Sequence, residues 1–305
     1  MLVYTIKRIL LALLVTLCVS SISFGLLFLS SDPATAIAGE AATDEDIEYI
    51  RKLYGFERPL IVQYIEWVGK ALRGDFGKSY YFRMPVSQIL ADRLPITLKL
   101  GTSAVIFAMV LSVPLGVVAA MRPNSWIDRV ALFLSIMGQA LPSFWFALML
   151  IVLLSIMFPL LPPSGTETWV HFVMPTIVLG YFAMPAIMRL TRAGMMEVMA
   201  SDYIRTARAK GLLPAKVLIK HALRNAIIPV VSVAAVQFGF MLGGSIVVET
   251  IFALHGMGYL AWESINRSDL PTVQAVILVF SIIYVVLTLL ADLINAWLDP
   301  RIRVA

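Results

Sequence analysis

In a chain of 305 residues, a 60% hydrophobic and 14% charged composition with a mean hydropathy of +0.87 excludes a water-soluble globule, where about half the residues are apolar and about a quarter charged. The formal net charge of +5, from 24 Lys and Arg against 19 Asp and Glu, therefore reads first as membrane topology, and no nucleic-acid partner is needed to explain it. A single cysteine, Cys18, excludes a disulfide framework and a Cys-ligated metal site.

An ionised side chain at the bilayer centre costs about 2.5–3.5 kcal/mol, so charge-free intervals mark the spans, each needing about 20 residues. Lys7 and Arg8 precede an uncharged run to Ser31; Lys99 and Arg122 bracket a second; Arg129 to Glu167 encloses a third, with Pro142 inside it. His171 to Arg189 gives a fourth, Asn225 to Glu249 a fifth and Asp269 to Asp292 a sixth. The pattern predicts an all-α integral membrane protein of six transmembrane helices. Residues 1–31 form the N-terminus and first helix, 32–98 an exported segment with interfacial helices, and 99–305 a five-helix core containing a long inner loop at 189–226. Ala34-Thr35-Ala36 resembles a signal-cleavage site, but the run from Arg8 to Asp32 exceeds the roughly 7–15 apolar residues of a secretory signal, so the first span is expected to be uncleaved. Lys7, Arg8, Arg122, Arg129, eight basic residues between Arg189 and Arg224, and Arg301 and Arg303 fall on one side, whereas the short loops opposite carry only Arg267. By the positive-inside rule both termini are expected in the cytoplasm.

Within the exported segment, Thr43 is placed to cap a helix that opens with Asp44, Glu45 and Asp46 and continues with Ile47, Ile50 and Leu53 at helical spacing. After Pro59, the residues Ile61, Tyr64, Ile65, Val68 and Leu72, with Trp67 alongside, predict an amphipathic helix at the membrane interface or against neighbouring spans, with substrate binding as the alternative. Gly74 to Ser79 imitates the end of a phosphate loop. The motif needs a glycine five residues before Gly77, where Leu72 stands, so no nucleotide site is expected.

The inner loop carries the most information. From Met196 the positions Met199, Tyr203, Ala207 and the Lys210 stem recur at helical spacing, with Arg205, Arg208 and Lys210 toward the end, and Gly211 stops that helix. Pro214 is placed to open a second, shorter helix, which leaves Leu212 and Leu213 exposed at the corner with Val217 and Leu218 following. A partner protein accounts for leucines at such a corner; the alternative is that both helices fold back on the inner ends of the spans.

The stretch Asp202-Tyr203-Ile204-Arg205-Thr206-Ala207-Arg208-Ala209-Lys210-Gly211, continuing through His221, Arg224 and Pro229, resembles the cytoplasmic E-A-A-x-x-x-G loop of ABC-importer permeases, in the form carried by the dipeptide, oligopeptide and nickel branch. Arg205-Thr206-Ala207 stands for E-A-A, Gly211 is the glycine, and His221 and Arg224 replace the Ile and Pro of the later I-x-L-P. The similarity extends to Tyr4, Lys7 and Arg8, to Leu53-Tyr54-Gly55-Phe56-Glu57-Arg58-Pro59-Leu60, to Gly74-Asp75-Phe76-Gly77 with Ser79, to Pro142-Ser143-Phe144 and to Gly243-Gly244-Ser245 with Val248-Glu249. Ser30-Ser31-Asp32-Pro33 departs from the family's P-G-D-P. The resemblance implies a type I importer permease fold in a bacterial cytoplasmic (inner) membrane, of the first, B-type subunit. It also implies a second permease, two ATPase subunits that hold the ATP and Mg, and an extracytoplasmic binding protein, with no cofactor on this chain. ATPase docking falls to Arg205, Ala207, Gly211, Leu212, Leu213, Pro214, Val217 and His221. Di- and oligopeptides are the expected cargo, with glutathione and nickel chelates as alternatives.

A passage for polar cargo needs polar groups among the spans. Gln139, Ser143, Gln237 and Ser245 are the candidates, Phe144 and Met241 could form an apolar gate, and Gly239 and Gly243 have the spacing of close helix packing. An ion-coupled secondary transporter is disfavoured because every span centre lacks charge. An enzyme is disfavoured because His171, His221 and His255 fall in loops without an HExxH or GxSxG constellation. The stripe Met195, Met196, Met199 reads as packing, not as a nickel site.

Overall fold

The computed structural model describes residues 2–30, 32–39 and 42–298. The expected end of the first unit at Ser31, and Arg301 and Arg303 in the charge balance, lie outside the described residues. The described chain is helical, with one isolated antiparallel bridge between Lys78 and Pro85.

A long apolar helix α1 (Leu2–Ser30) leads into the short α2 (Pro33–Ala38), capped by Asp32, whose carboxylate accepts from the Ala34 amide at 3.0 Å. Helix α3 (Asp44–Tyr54) starts as expected. The Thr43 hydroxyl accepts from the Asp46 amide, the Asp46 carboxylate accepts from the Thr43 amide, and Gly55 closes the helix at φ 71°. Helix α4 (Leu60–Ala71) leans on α1 through a 2.7 Å hydrogen bond between Tyr64 and Ser20 and through Phe24, packed against the Tyr64 and Trp67 rings. Ile61, Ile65 and Leu72 remain exposed, as suits a helix lying at an interface.

The core is built on α5 (Val86–Met121) and α8 (Val173–Met199). Between them come α6 (Trp126–Ala140) and α7 (Ser143–Ile151), the latter running on as a π-helical stretch Val152–Met157, and a 3-10 turn at Trp169–Phe172. After α8 follow α9 (Asp202–Ala209) and α10 (Pro214–Lys216), then a π-helical stretch Val217–Leu223, α11 (Arg224–Ala226), α12 (Ile228–Ile251), α13 (Met257–Asn266) and α14 (Leu270–Leu298). Leu100, Ala104 and Ala108 of α5, Val178, Leu179, Ala183 and Ile187 of α8, and Met241 and Val248 of α12 form one buried cluster. Helix α14 packs on α12 and on α1, where Arg8 pairs with Asp292 at 2.9 Å.

Two expectations change in the structure. Among the described residues, five helices are each long and apolar enough to cross a membrane: Thr5–Gly25, Val86–Met121, Trp169–Met199, Ile228–Ile251 and Leu270–Ala296. The third interval is instead two shorter helices. Leu141 is extended (φ −88°, ψ 127°) because the following Pro142 disfavours helix there, and the apolar piece Ser143–Met157 is only about 22 Å long at 1.5 Å per residue. Likewise, the helix read from Met196 to Lys210 is broken, since Ser201 is extended (φ −72°, ψ 154°) between α8 and α9.

Of the two glycines expected at close helix contacts, Gly239 is at one, since a Cβ there would overlap the Tyr284 ring of α14, whereas Gly243 faces open space. The intimate pair is α5 with α8: a Cβ on Gly180 would stand 2.6 Å from the Ala104 carbonyl oxygen, one on Gly116 2.8 Å from that of Met188, and the Ser112 hydroxyl donates to the Met184 carbonyl at 3.2 Å. We expect Gly116→Val and Gly180→Val each to cost about 1–3 kcal/mol by prising these backbones apart. Thermal unfolding of the full chain in detergent checks this, with Gly243→Val as the tolerated control; a Gly180→Val transition at the wild-type temperature would refute the close approach.

Candidate functional site

The inner loop is held in shape from within. Ile204 and Ala207 of α9 and Val217, Ala222 and Ala226 beyond it pack with Met195 of α8 into one buried cluster, against which Leu212 is half-buried. Gly211 adopts φ 72°, a conformation that glycine reaches without strain, and there the chain leaves α9. Leu213 takes the extended conformation that a following proline demands (φ −55°, ψ 138°) and its carbonyl accepts from the Val217 amide at 3.0 Å. The side chain of Leu213 is 72% exposed.

Of the eight residues assigned to docking, Arg205, Gly211, Leu213 and Pro214 lie on the surface, Leu212 and His221 are half-buried, and Ala207 and Val217 are buried. The last two therefore shape the loop, while the apolar surface on offer, Leu213 and Pro214 with Tyr203 and Ile219, stands in a cationic field of Arg205, Arg208, Lys210, Lys216, Lys220 and Arg224, all exposed. Arg205 pairs with Asp202, and Asn225 donates from its side-chain amide to the Tyr203 hydroxyl at 2.9 Å, closing the two arms of the loop.

Near the start of this stretch, still within α8, Arg192 donates through Nε and Nη2 to the two oxygens of Asp128 in α6, at 2.6 and 2.7 Å. Asp128 also accepts from the Asn124 amide at 2.9 Å. The Arg192 hydrogen bonds hold the Asp128 carboxyl below the usual carboxylate range. As a bare charge, Arg192 reads as a marker of topology; nothing in its spacing from Asp128 announces a buried pair.

The polar span residues divide. Ser143, Gln237 and Met241 meet in a groove of about 100 Å³ between α7, α8 and α12, walled by Phe182 and Phe240. Gln139 and Phe144 are exposed and outside that groove. Ser245 is fully buried and donates to the Leu242 carbonyl at 2.9 Å.

Ser245 belongs instead to a polar node that sequence reading missed. The Glu249 carboxyl, wholly buried, accepts from the Thr97 hydroxyl of α5 at 2.7 Å and the Tyr259 amide of α13 at 2.9 Å; Thr97 in turn accepts from the Met257 amide at 2.7 Å. Gly256 and Gly258 make room for it: a Cβ on Gly258 would come within 2.6 Å of Ser245 Oγ and 2.9 Å of the Ile246 amide nitrogen. The available signal was Glu249 itself, a carboxylate at the end of a span followed closely by two glycines, which charge counting treats only as a boundary.

The histidines play local parts. His171 pairs with Glu167 at 2.9 Å and bonds Thr168, and His255 lies edge-on to Tyr259. Among the described residues, no group of three or more His, Cys, Asp or Glu could hold a metal ion.

Comparison with known proteins bears on the whole chain. Residues 112–304 match the family described as binding-protein-dependent transport system inner membrane component, and residues 1–101 match the N-terminal region of such membrane components. The chain is 39% identical over 305 residues to the glutathione transport system permease protein GsiC of Escherichia coli (strain K12), covering 99% of each, and 39% identical over the same span to the protein of that name in Salmonella choleraesuis (strain SC-B67). In fold it is similar to a chain of the MetNI methionine ABC transporter in inward-facing conformations, with TM-scores of 0.56 and 0.55 in two crystal forms at 19% identity, covering 70% of this chain and 97% of the other.

Two outcomes follow from the buried acids. Glu249→Gln sets an amide donor against backbone donors and is expected to cost about 1–3 kcal/mol; Gly258→Ala should destabilise similarly, both read by thermal unfolding. Because the folded Asp128 value is lowered, its pair stabilises the fold above the unfolded carboxylate pKa of about 3.9 and loses that contribution as pH falls through the lower native value. Asp128→Asn should therefore melt earlier than wild type at pH 7, with the gap narrowing in acid; a gap constant down to the acid limit would contradict this.

Proposed function

Since the chain belongs to the family of binding-protein-dependent transport system inner membrane components, the ABC-importer permeases of the dipeptide and oligopeptide group, we propose that it forms half of an ATP-driven import pathway. It is a multi-pass protein of the bacterial inner membrane. In our reading the chain crosses six times, the third crossing being the broken pair α6 and α7, with both termini and the basic loop in the cytoplasm. A second permease subunit completes the pathway, and an extracytoplasmic binding protein delivers cargo. This chain performs no catalysis; ATP and Mg act on the partner ATPases.

The observation that carries the proposal is the corner at Gly211–Pro214. An exposed leucine on a turn costs solvation unless something covers it, and here it is presented by a loop whose interior is packed and whose rim is cationic. An ATPase cleft lined by apolar and acidic groups fits that surface. Movement of the ATPases on binding ATP would push the corner, and α8 would carry the push to the groove at Ser143, Gln237 and Met241.

For cargo we propose di- and oligopeptides. The 39% identity to proteins named glutathione transport permeases gives glutathione, itself a small peptide, a standing equal to ordinary dipeptides, with nickel chelates a further alternative. Uptake of labelled dipeptide and glutathione by cells carrying the complete system distinguishes them.

Leu212→Ala combined with Leu213→Ala is expected to lower substrate-stimulated ATP hydrolysis of the assembled importer by about tenfold or more, a loss of at least 1.4 kcal/mol in coupling, while membrane insertion persists. Undiminished stimulation would sink the docking assignment.

A further inference from the structure

Between α1, α4 and α14 lie two cavities that share a wall. The larger, about 780 Å³, is a bowl on the side of the 32–98 segment, bordered by aromatic rings and by Arg58, Lys70, Lys78, Arg83 and Arg267. Arg58 is neutralised by Glu66 at 2.6 Å. The other four cations make no ion pair with a described residue, and of the remaining acids in the lining only Asp75 opposes them. The bowl therefore carries a positive surplus.

The smaller cavity, about 230 Å³, is an apolar crevice walled by Leu13 and Leu17 of α1, Val68 and Ala71 of α4, and Leu278 and Ile282 of α14. Trp67 and Phe76 line both spaces. The two form one channel along the helices: Pro271 and Gln274 border the bowl and Leu278 and Ile282 the crevice on a single stripe of α14, as Phe24 and then Ser20, Leu17 and Leu13 do on α1. Leu13, Leu17 and Ile282 are themselves exposed on apolar helices long enough to span a bilayer, so the crevice opens sideways toward lipid.

A cationic bowl, an aromatic collar and an apolar cleft in sequence match one kind of molecule. We propose that this channel holds a single anionic phospholipid of the leaflet on that side, its phosphate among Lys70, Lys78, Arg83 and Arg267 and one acyl chain in the crevice between α1 and α14. A soluble anion would use the bowl and leave the crevice idle; a zwitterionic lipid would fill the crevice but gain little from the cations. The inference requires only that α1 and α14 lie in the bilayer and is independent of cargo and of ATPase docking.

Native mass spectrometry of the purified full chain in detergent tests it, with phosphatidylglycerol, phosphatidylcholine of the same acyl chains, or inorganic phosphate added. One retained phosphatidylglycerol is expected, with phosphatidylcholine held at least about tenfold more weakly, each basic contact to anionic lipid being worth about a fivefold change. Lys70→Gln with Lys78→Gln, and separately Ala71→Phe to fill the crevice, should each lower retention by roughly tenfold. Equal retention of the two lipids, retention unaffected by both variants, or displacement by inorganic phosphate would each overturn the proposal. For a readout that needs no variant at these positions, phosphatidylglycerol brominated along its acyl chain should quench wild-type tryptophan fluorescence more than a Trp67→Phe chain; equal quenching would also overturn it.

Discussion

Apolar helices in a bilayer gain little by burying against one another, because lipid tails are as apolar as leucine; helix-to-helix register must come from close backbone approach and from polar bonds. Three buried acids supply those bonds here. Asp128 joins α6 to α8 through Arg192. Glu249 joins α12 to α5 and α13 through Thr97 and the Tyr259 amide. Asp269 stands just before α14 and accepts from the Thr272 and Ser79 hydroxyls and the Tyr80 amide, at 2.7, 2.5 and 2.9 Å. Each acid takes donors from another element: Asp128 and Glu249 thereby tie helix to helix, and Asp269 ties the start of α14 to the Ser79–Tyr80 segment. Gly116 and Gly180 then allow α5 and α8 the contact that leaves least room between them.

With register fixed in this way, α8 becomes a rod common to the loop and the groove. It carries Met195 into the loop cluster, Arg192 into the ion pair, and Val178, Leu179 and Ala183 into the groove wall. Its 27 residues span about 40 Å at 1.5 Å each. A displacement at the Leu213 corner thus has a stiff path toward the span residues. Ala207 and Val217 belong to this path as packing, which is why their burial suits a lever as well as exposure would suit a contact.

Charge spacing made most of the fold legible, since insertion cost penalises charge wherever a helix crosses. Each of the five long helices contains one of the charge-free intervals, although α5 begins at Val86, well before Lys99, and α8 runs on past Arg189 to Met199. The same rule failed where charge has a second use. Glu249 and Asp269 were read as span edges and Arg192 as a topological cation, yet all three are structural bonds, and a one-dimensional pattern cannot say which partner waits across the bundle. Pro142 was visible inside its interval, but the length lost there depends on the extended Leu141, a local conformation. In the inner loop, Gly211 and Pro214 fixed the corner from sequence, whereas the sorting of Leu213 outward and Val217 inward needed the cluster around Met195. Ser79, which made the false phosphate loop tempting, turns out to be the hydroxyl that reaches Asp269.

Helix α1 stands apart from this scheme. Its described polar ties are Arg8 to Asp292 near its start and, past its middle, the Tyr64 hydroxyl to Ser20 and to the Leu17 carbonyl; between them Leu11, Ala12 and Val15 turn toward α14. Where α1 turns Leu13 and Leu17 toward α4 and α14, the packing leaves an apolar crevice of about 230 Å³. Such a gap in a bilayer is filled by whatever apolar chain is at hand. That the crevice opens at one end onto lysines and arginines that make no ion pair with a described residue, and not onto neutral surface, is what turns ordinary lipid contact into selection for a charged headgroup.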